Sequence, residues 1–366
     1  MLKEGKFGVT EAVCLVTITC SVKIFFSSPA LLISQVGTAA WYVTLISAVT
    51  ALVGFSFLYL LLKRFPGKAL PEIFDLSMGR AAGLFLSFLF AAMLMINTGI
   101  FMREYSDVLR SYTYQETSTS YIIGALALAA GAAAWLGLES IARLSKLAAY
   151  FLLAGYLALL VFASSDYHYD NIFPLLGYGL EKSAVTGARR CSVYAEVVIL
   201  GIVASSLQGV RNIKRAGVIS VALSGLLVAM GLLSGIMMFS YTTGQENSAL
   251  LFALARVIKY SDFFSRLDPL FIILWSTATT ITVSVLFYAA VSMLCKTLRL
   301  PDKRPVIIPM TIILYVLALL PRDFSTIVYG YVEGVRNYNW IVYFGLPLLA
   351  LIISVIRNKK DVAPGA

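Results

Sequence analysis

The sequence is short of charge. Only 13% of its 366 residues are Asp, Glu, Lys or Arg, against about a quarter in an ordinary soluble domain. A water-soluble chain this poor in charge and 59% hydrophobic would leave large apolar patches facing water. Lipid as the surrounding solvent removes that difficulty. Histidine is almost missing, His168 standing alone in a polar loop. Cysteine is sparse: Cys14, Cys20, Cys191 and Cys295 fall in or beside apolar runs, with no CxxC pair among them. They read as structural free thiols, and one His without a Cys cluster argues against a metal site. G-x-S-x-G, P-loop and H-E-x-x-H motifs are missing too, and no nucleophile has an evident base. Neither an enzyme nor a cofactor is expected.

What the sequence has is long apolar runs. They extend from Val9 to Val36, Trp41 to Leu62, Gly83 to Leu109, Tyr121 to Leu138 and Ile141 to Ala163, then Ser192 to Leu207, Val218 to Tyr241, Pro269 to Leu294, Val306 to Leu320 and Trp340 to Ile356. A membrane-spanning helix needs about 20 such residues, so ten spans consume most of the chain. The expectation is one polytopic membrane domain over residues 1–366. Backbone groups in lipid must pair within their own segment, which makes the spans helices; the alternation of a β-barrel is not present. The basic start MLKEGKF resembles a signal peptide, but the apolar run continues past Lys23 without an A-x-A site, so it reads as a retained first span.

The net charge of +10 would suggest nucleic acid on a soluble protein. No basic cluster here is interleaved with aromatics in a water-exposed segment, and no nucleic-acid partner is expected. The excess instead marks the cytoplasmic side. With the N-terminus inside, inner segments hold eighteen of the 29 Lys and Arg and outer segments nine, which places both termini in the cytoplasm. Two outer loops are long, Ser164 to Arg190 and Thr242 to Asp268. The second contains an amphipathic stretch, Leu250 to Phe264, read either as a short interfacial helix or as a solvated loop.

Ionisable residues inside spans are costly and mark functional sites. Lys23 lies about 14 residues into the first span, roughly 21 Å deep at 1.5 Å per residue. Thr19, Cys20 and Ser27 share its face, and Ser27-Ser28-Pro29 follows. Pro29 removes a backbone donor, and a disturbed helix exposes carbonyls to a polar ligand or ion. Glu196 sits in the sixth span with Ser192 one turn away and Gly201 beyond. It could accept a proton, anchor a ligand, or pair with Lys23; structural pairing or snorkelling is the competing reading for both. Spans one and six open two five-helix halves, and matching interruptions there point to a midplane site. Weaker candidates are Asn97 and Thr98 in span three, and Thr277, Thr280 and Ser284 in span eight, because span hydroxyls usually bond backbone. Arg103 and Glu104 read as an ion pair at the outer end of span three.

Several segments resemble, in order, the B-subunit family of bacterial spore germinant receptors (the GerAB type), a branch of the amino acid–polyamine–organocation transporter superfamily. They are Trp41 at the start of span two, KRFPGKALPEIFDLSMGRAAG (Lys63 to Gly83), FMREYSDVL (Phe101 to Leu109), GLESIARLSKL (Gly137 to Leu147), NIFPLLGYGL (Asn171 to Leu180), YAEVVIL (Tyr194 to Leu200) and FFSRLDPLFIILW (Phe263 to Trp275). YAEVVIL matches the family's span-six glutamate region and adds Tyr194 to the ligand candidates. The resemblance implies an all-α membrane protein with a five-plus-five inverted-repeat fold. It implies a subunit of the spore inner membrane that binds a small nutrient, an amino acid or similar, and signals through A-type and C-type partner subunits. The alternatives are a proton-coupled amino-acid transporter, with Glu196 as coupling group, and a non-binding scaffold. Two departures stand out. Val22, Lys23, Ile24 and Phe25 occupy the stretch where the superfamily's first span usually carries glycines. Only Lys146 lies near the place of the span-five lysine used by proton-coupled members.

Overall fold

The computed structural model describes residues 5–257, 268–321, 323 and 326–360. Among them there is no strand. Seven stretches are long and apolar enough to cross a membrane. The remaining crossings are shorter or interrupted, for reasons that lie in the sequence.

The first span is α1 (Val9–Ser21) and α2 (Ser28–Val36), separated by a 3-10 turn at Val22–Phe25 and one extended residue, Phe26 (φ −107°, ψ −164°). Pro29 stands in the first turn of α2, where its missing N–H costs nothing and its fixed φ suits a helix start. Gly37 closes α2 at φ +65°, and α3 (Ala40–Arg64) returns as the second span. A short helix α4 (Leu70–Met78) precedes α5 (Arg80–Tyr112), α6 (Thr119–Leu136) and α7 (Leu138–Ala163), which complete the first half.

The second half opens with a short helix, α8 (Leu180–Arg189). Its first span is not a continuous α-helix. A 3-10 segment Arg190–Val198 leads to the single turn α9 (Ile199–Ile202) and a second 3-10 turn, Ala204–Ser206. Then follow α10 (Val210–Gly244), the short helix α11 (Leu250–Val257), α12 (Asp268–Thr297) and α13 (Arg304–Leu319). The last crossing combines π-helical turns at Thr326–Val332 and Ile341–Gly345 with α14 (Glu333–Tyr338) and α15 (Leu346–Ile356). It begins fourteen residues before the apolar run from Trp340, because Glu333, Arg336 and Asn339 give its first half the hydropathy of a loop.

Small residues let the helices approach closely, as is usual where lipid offers no hydrophobic drive between them. A Cβ on Gly217 of α10 would fall on the Phe55 ring of α3, and one on Gly225 would stand 2.8 Å from the Ala48 Cβ. Large apolar side chains such as Val49, Phe85, Leu128, Val161 and Ile312 point outward and are exposed, as a lipid-facing surface requires.

Helix α11 departs from the expected interfacial helix. Leu250, Leu251, Phe252, Leu254 and Ala255 are buried within the protein. Phe252 packs on Tyr112 (5.2 Å between ring centroids) and Phe271 (5.7 Å). A groove of aromatic rings between α5 and α12 desolvates this face more completely than a headgroup layer would. The rest of the amphipathic stretch, to Phe264, lies outside the described residues.

Candidate functional site

The breaks in the first and sixth spans meet. Lys23 lies in the 3-10 turn of span one, and its ammonium donates to the Val193 carbonyl and to the Glu196 carboxylate, both in the 3-10 segment of span six. Tight 3-10 winding gives poorer hydrogen-bond geometry within the backbone, and a carbonyl has a second lone pair for an outside donor. The second oxygen of Glu196 faces the Asn97 amide of α5 at 3.5 Å. The ion pair thus ties together the two interrupted spans and lies beside the third.

A second polar group stands on the α2 side of the break. Glu104 of α5 accepts from the Ser27 amide (3.0 Å) and from the Ser27 hydroxyl (2.5 Å) at the start of α2. This corrects the expected Arg103–Glu104 pair: Arg103 bonds Asp107 at 3.0 and 3.1 Å instead. Adjacent residues on a helix do not face each other, whereas residues four apart do. Arg336 of α14 lies over the Phe101 ring, 5.2 Å from its centroid. Arg190 donates to the Ser28 hydroxyl (3.1 Å), the Ser28 carbonyl (3.3 Å) and Gln35 (3.4 Å). Gln35 in turn donates to Glu333 at 3.0 Å.

Lys23, Glu104, Arg190, Glu196 and Arg336 are each at most 2% exposed. Three cations therefore share one buried region with two carboxylates, and a buried charge is costly unless it is paired and hydrogen-bonded. Bonding in this region is incomplete. The Asn97 Oδ1, Glu104 Oε2 and Arg336 Nε atoms are buried with no hydrogen-bond partner among the described residues. A cavity of about 10 Å³ bordered by Lys23, Ser28, Thr44 and Arg190 has room for roughly one water. A larger cavity of about 250 Å³ lies apart from these charges, between α1, α7 and α10, with an apolar lining that includes Val13, Phe25 and Leu153.

The structure brings together Lys23, Ser27, Ser28, Asn97 and Glu196 from the sequence candidates. Tyr194 is buried close by, its hydroxyl 2.7 Å from that of Thr44. The Thr98 hydroxyl is spent on the Leu94 carbonyl of its own helix (2.6 Å). Thr277, Thr280 and Ser284 likewise bond Ile273, Ser276 and Thr280 carbonyls at 2.7–2.8 Å, and Thr277 and Thr280 are only partly buried. All three of these bonds are to carbonyls of their own helix. Sequence reasoning missed Glu104 as a buried group and counted Arg190 and Arg336 among outer-loop charges. Lys146 is engaged elsewhere, pairing with Glu11 at 2.7 Å and joining α7 to α1 in their N-terminal parts.

An all-helical chain with two interrupted spans meeting at a polar centre has the five-plus-five architecture of secondary transporters. Solved structures agree on the fold. A Na+-coupled sialic acid symporter in a substrate-bound, outward-open state superimposes with a TM-score of 0.69 at 14% identity, covering 96% of this chain and 80% of that one. A nucleobase-cation-symport-1 family transporter, closed around bromovinylhydantoin, gives 0.65 at 13% identity, covering 96% and 90%. Within that class the chain belongs to the spore germination protein (spore permease) family, whose profile matches residues 10–327. A relative, spore germination protein KB of Bacillus subtilis (strain 168), is 23% identical over 333 residues, covering 89% of each chain. The chain is accordingly a multi-pass, permease-like membrane protein of spore germination.

Proposed function

We propose that the chain is the B-type subunit of a spore germinant receptor in the spore inner membrane, with both termini cytoplasmic. It binds a small nutrient, an amino acid or similar, at the junction of the broken spans and signals through A-type and C-type partner subunits. The observation that carries this reading is the incomplete bonding around the junction. Asn97, Glu104 and Arg336 each leave a buried polar atom without a partner, and such atoms cost about 1–3 kcal/mol apiece unless something satisfies them. A small ligand with both an anionic and a cationic or hydroxyl group would do so. The cation excess suits the anionic end, and Glu104 Oε2 accepts from the donor end.

The test is Glu196→Gln in spores. The substitution keeps shape and an acceptor for Lys23, so it should destabilise less than loss of the whole side chain; the protein should still accumulate, co-purify with its A-type partner in mild detergent, and no longer respond to nutrient. Reduced abundance with a normal response in the surviving protein would make the residue structural and remove it from the binding site. The transporter fold favours a second reading, proton-coupled uptake of an amino acid. Purified protein in liposomes separates the two: ligand binding without accumulation supports the receptor, and accumulation driven by a proton gradient supports the transporter. Absence of any binding would leave a scaffold whose partners do the sensing.

A further inference from the structure

The ligands of the Lys23 ammonium are those of a bound monovalent cation. In helical membrane proteins such an ion is held where a helix unwinds, by main-chain carbonyls together with side-chain oxygens. Lys23 reaches from the break in span one to a main-chain carbonyl in the break of span six, Val193, and to the carboxylate of Glu196. The other oxygen of that carboxylate faces the Asn97 amide nitrogen at 3.5 Å. The lysine ammonium is a compact point charge on a flexible stem, and here the stem crosses from one interrupted span to the other. It is not snorkelling, because its charged end is enclosed in the protein.

We propose that Lys23 is a built-in monovalent cation, its ammonium permanently filling the place at the junction of spans one and six that would otherwise accept a sodium ion. One positive charge meets one carboxylate, so this pair is balanced without an ion from outside. The two broken spans stay tied whatever the sodium concentration. The idea concerns the same polar centre as the nutrient reading and rests on it only for the place of the ligand; the test below requires no nutrient, so either can fail alone.

The full chain is purified in mild detergent and melted in NaCl and in choline chloride of equal ionic strength. Wild type should melt at the same temperature in both. Lys23→Ala removes the ammonium and leaves the Val193 carbonyl and the Glu196 carboxylate beside a void. It should melt lower than wild type in choline chloride, and NaCl or methylammonium chloride should raise its melting temperature in a saturable way. The double variant Lys23→Ala with Glu196→Gln has no buried charge left at this point and should be indifferent to either cation. The proposal is overturned if sodium specifically stabilises the wild type, or if folded Lys23→Ala ignores both sodium and methylammonium. Should Lys23→Ala be lost in both salts, the double variant decides: recovery with no cation response supports the assignment, and a sodium response refutes it.

Discussion

Replacing Glu104 by alanine should loosen α2, the second half of the first span, before it disturbs anything else. Helix α2 begins at Ser28 without a side-chain cap of its own, and the Ser27 amide lies among the donors a helix start leaves unsatisfied. Glu104, from another span, accepts from that amide at 3.0 Å and from the Ser27 hydroxyl at 2.5 Å. Hydrogen bonds to a charged group contribute about 1.5–3 kcal/mol each, so Glu104→Ala should cost about 3–6 kcal/mol. An anion at a helix N-terminus adds roughly 0.3–1 kcal/mol. Arg336, on which Glu104 acts electrostatically, would be less well balanced as well. Glu104→Gln keeps an acceptor and loses the charge, which should cost about half as much. At about 2.1 cal/mol/K per residue, a chain of 366 residues loses about one degree for each 0.8 kcal/mol. The expected fall in melting temperature is thus about 4–8 °C for alanine and about 2–4 °C for glutamine. Melting of the purified chain in mild detergent measures both. A double-mutant cycle with Ser27→Ala isolates the hydroxyl bond, because contacting residues are not additive. Strict additivity, or an alanine variant that melts like wild type, would refute the reasoning.

Gly217→Leu should strain the crossing of α10 and α3, because its Cβ would fall on the Phe55 ring; overpacking of this kind costs about 1–3 kcal/mol, and an unchanged melting temperature would show that the helices are not in that contact. A cysteine added after the C-terminus should be reached by an impermeant thiol reagent only once the membrane is opened, as the distribution of Lys and Arg requires. Labelling of intact cells would overturn the topology.

The spans could be read from the sequence because lipid leaves one backbone solution, and apolar runs of sufficient length announce it. Lys23 and Glu196 were equally visible, as charges stranded in such runs. Other members of the site were hidden by their neighbours. Glu104 follows Arg103 directly and looked like half of a rim ion pair, although the helix turns the two apart and gives Arg103 to Asp107. Arg190 and Arg336 lie in polar stretches that hydropathy assigns to loops, yet both are buried. Span one breaks at Val22–Phe25 without the expected glycines, and the local signal is Pro29, in the first turn of the helix that resumes after it. What accompanies it is long-range: Lys23 and Ser27, at its two ends, are bonded to Glu196 and Glu104, 173 and 77 residues away in sequence.

Those same bonds bear on how specificity can change over evolutionary time. A recognition surface made of main-chain amides and carbonyls is insensitive to single substitutions, since every residue type supplies the same backbone. Here the Ser27 amide and the Val193 carbonyl are already taken by side chains of the protein itself. The groups left with unused bonding capacity, Asn97, Glu104 and Arg336, are side chains, and each is one codon change from a different chemistry. On the proposed reading, a nutrient site built on these side chains can exchange one ligand for another by point mutation while the bonds to the main chain at the junction hold the scaffold constant.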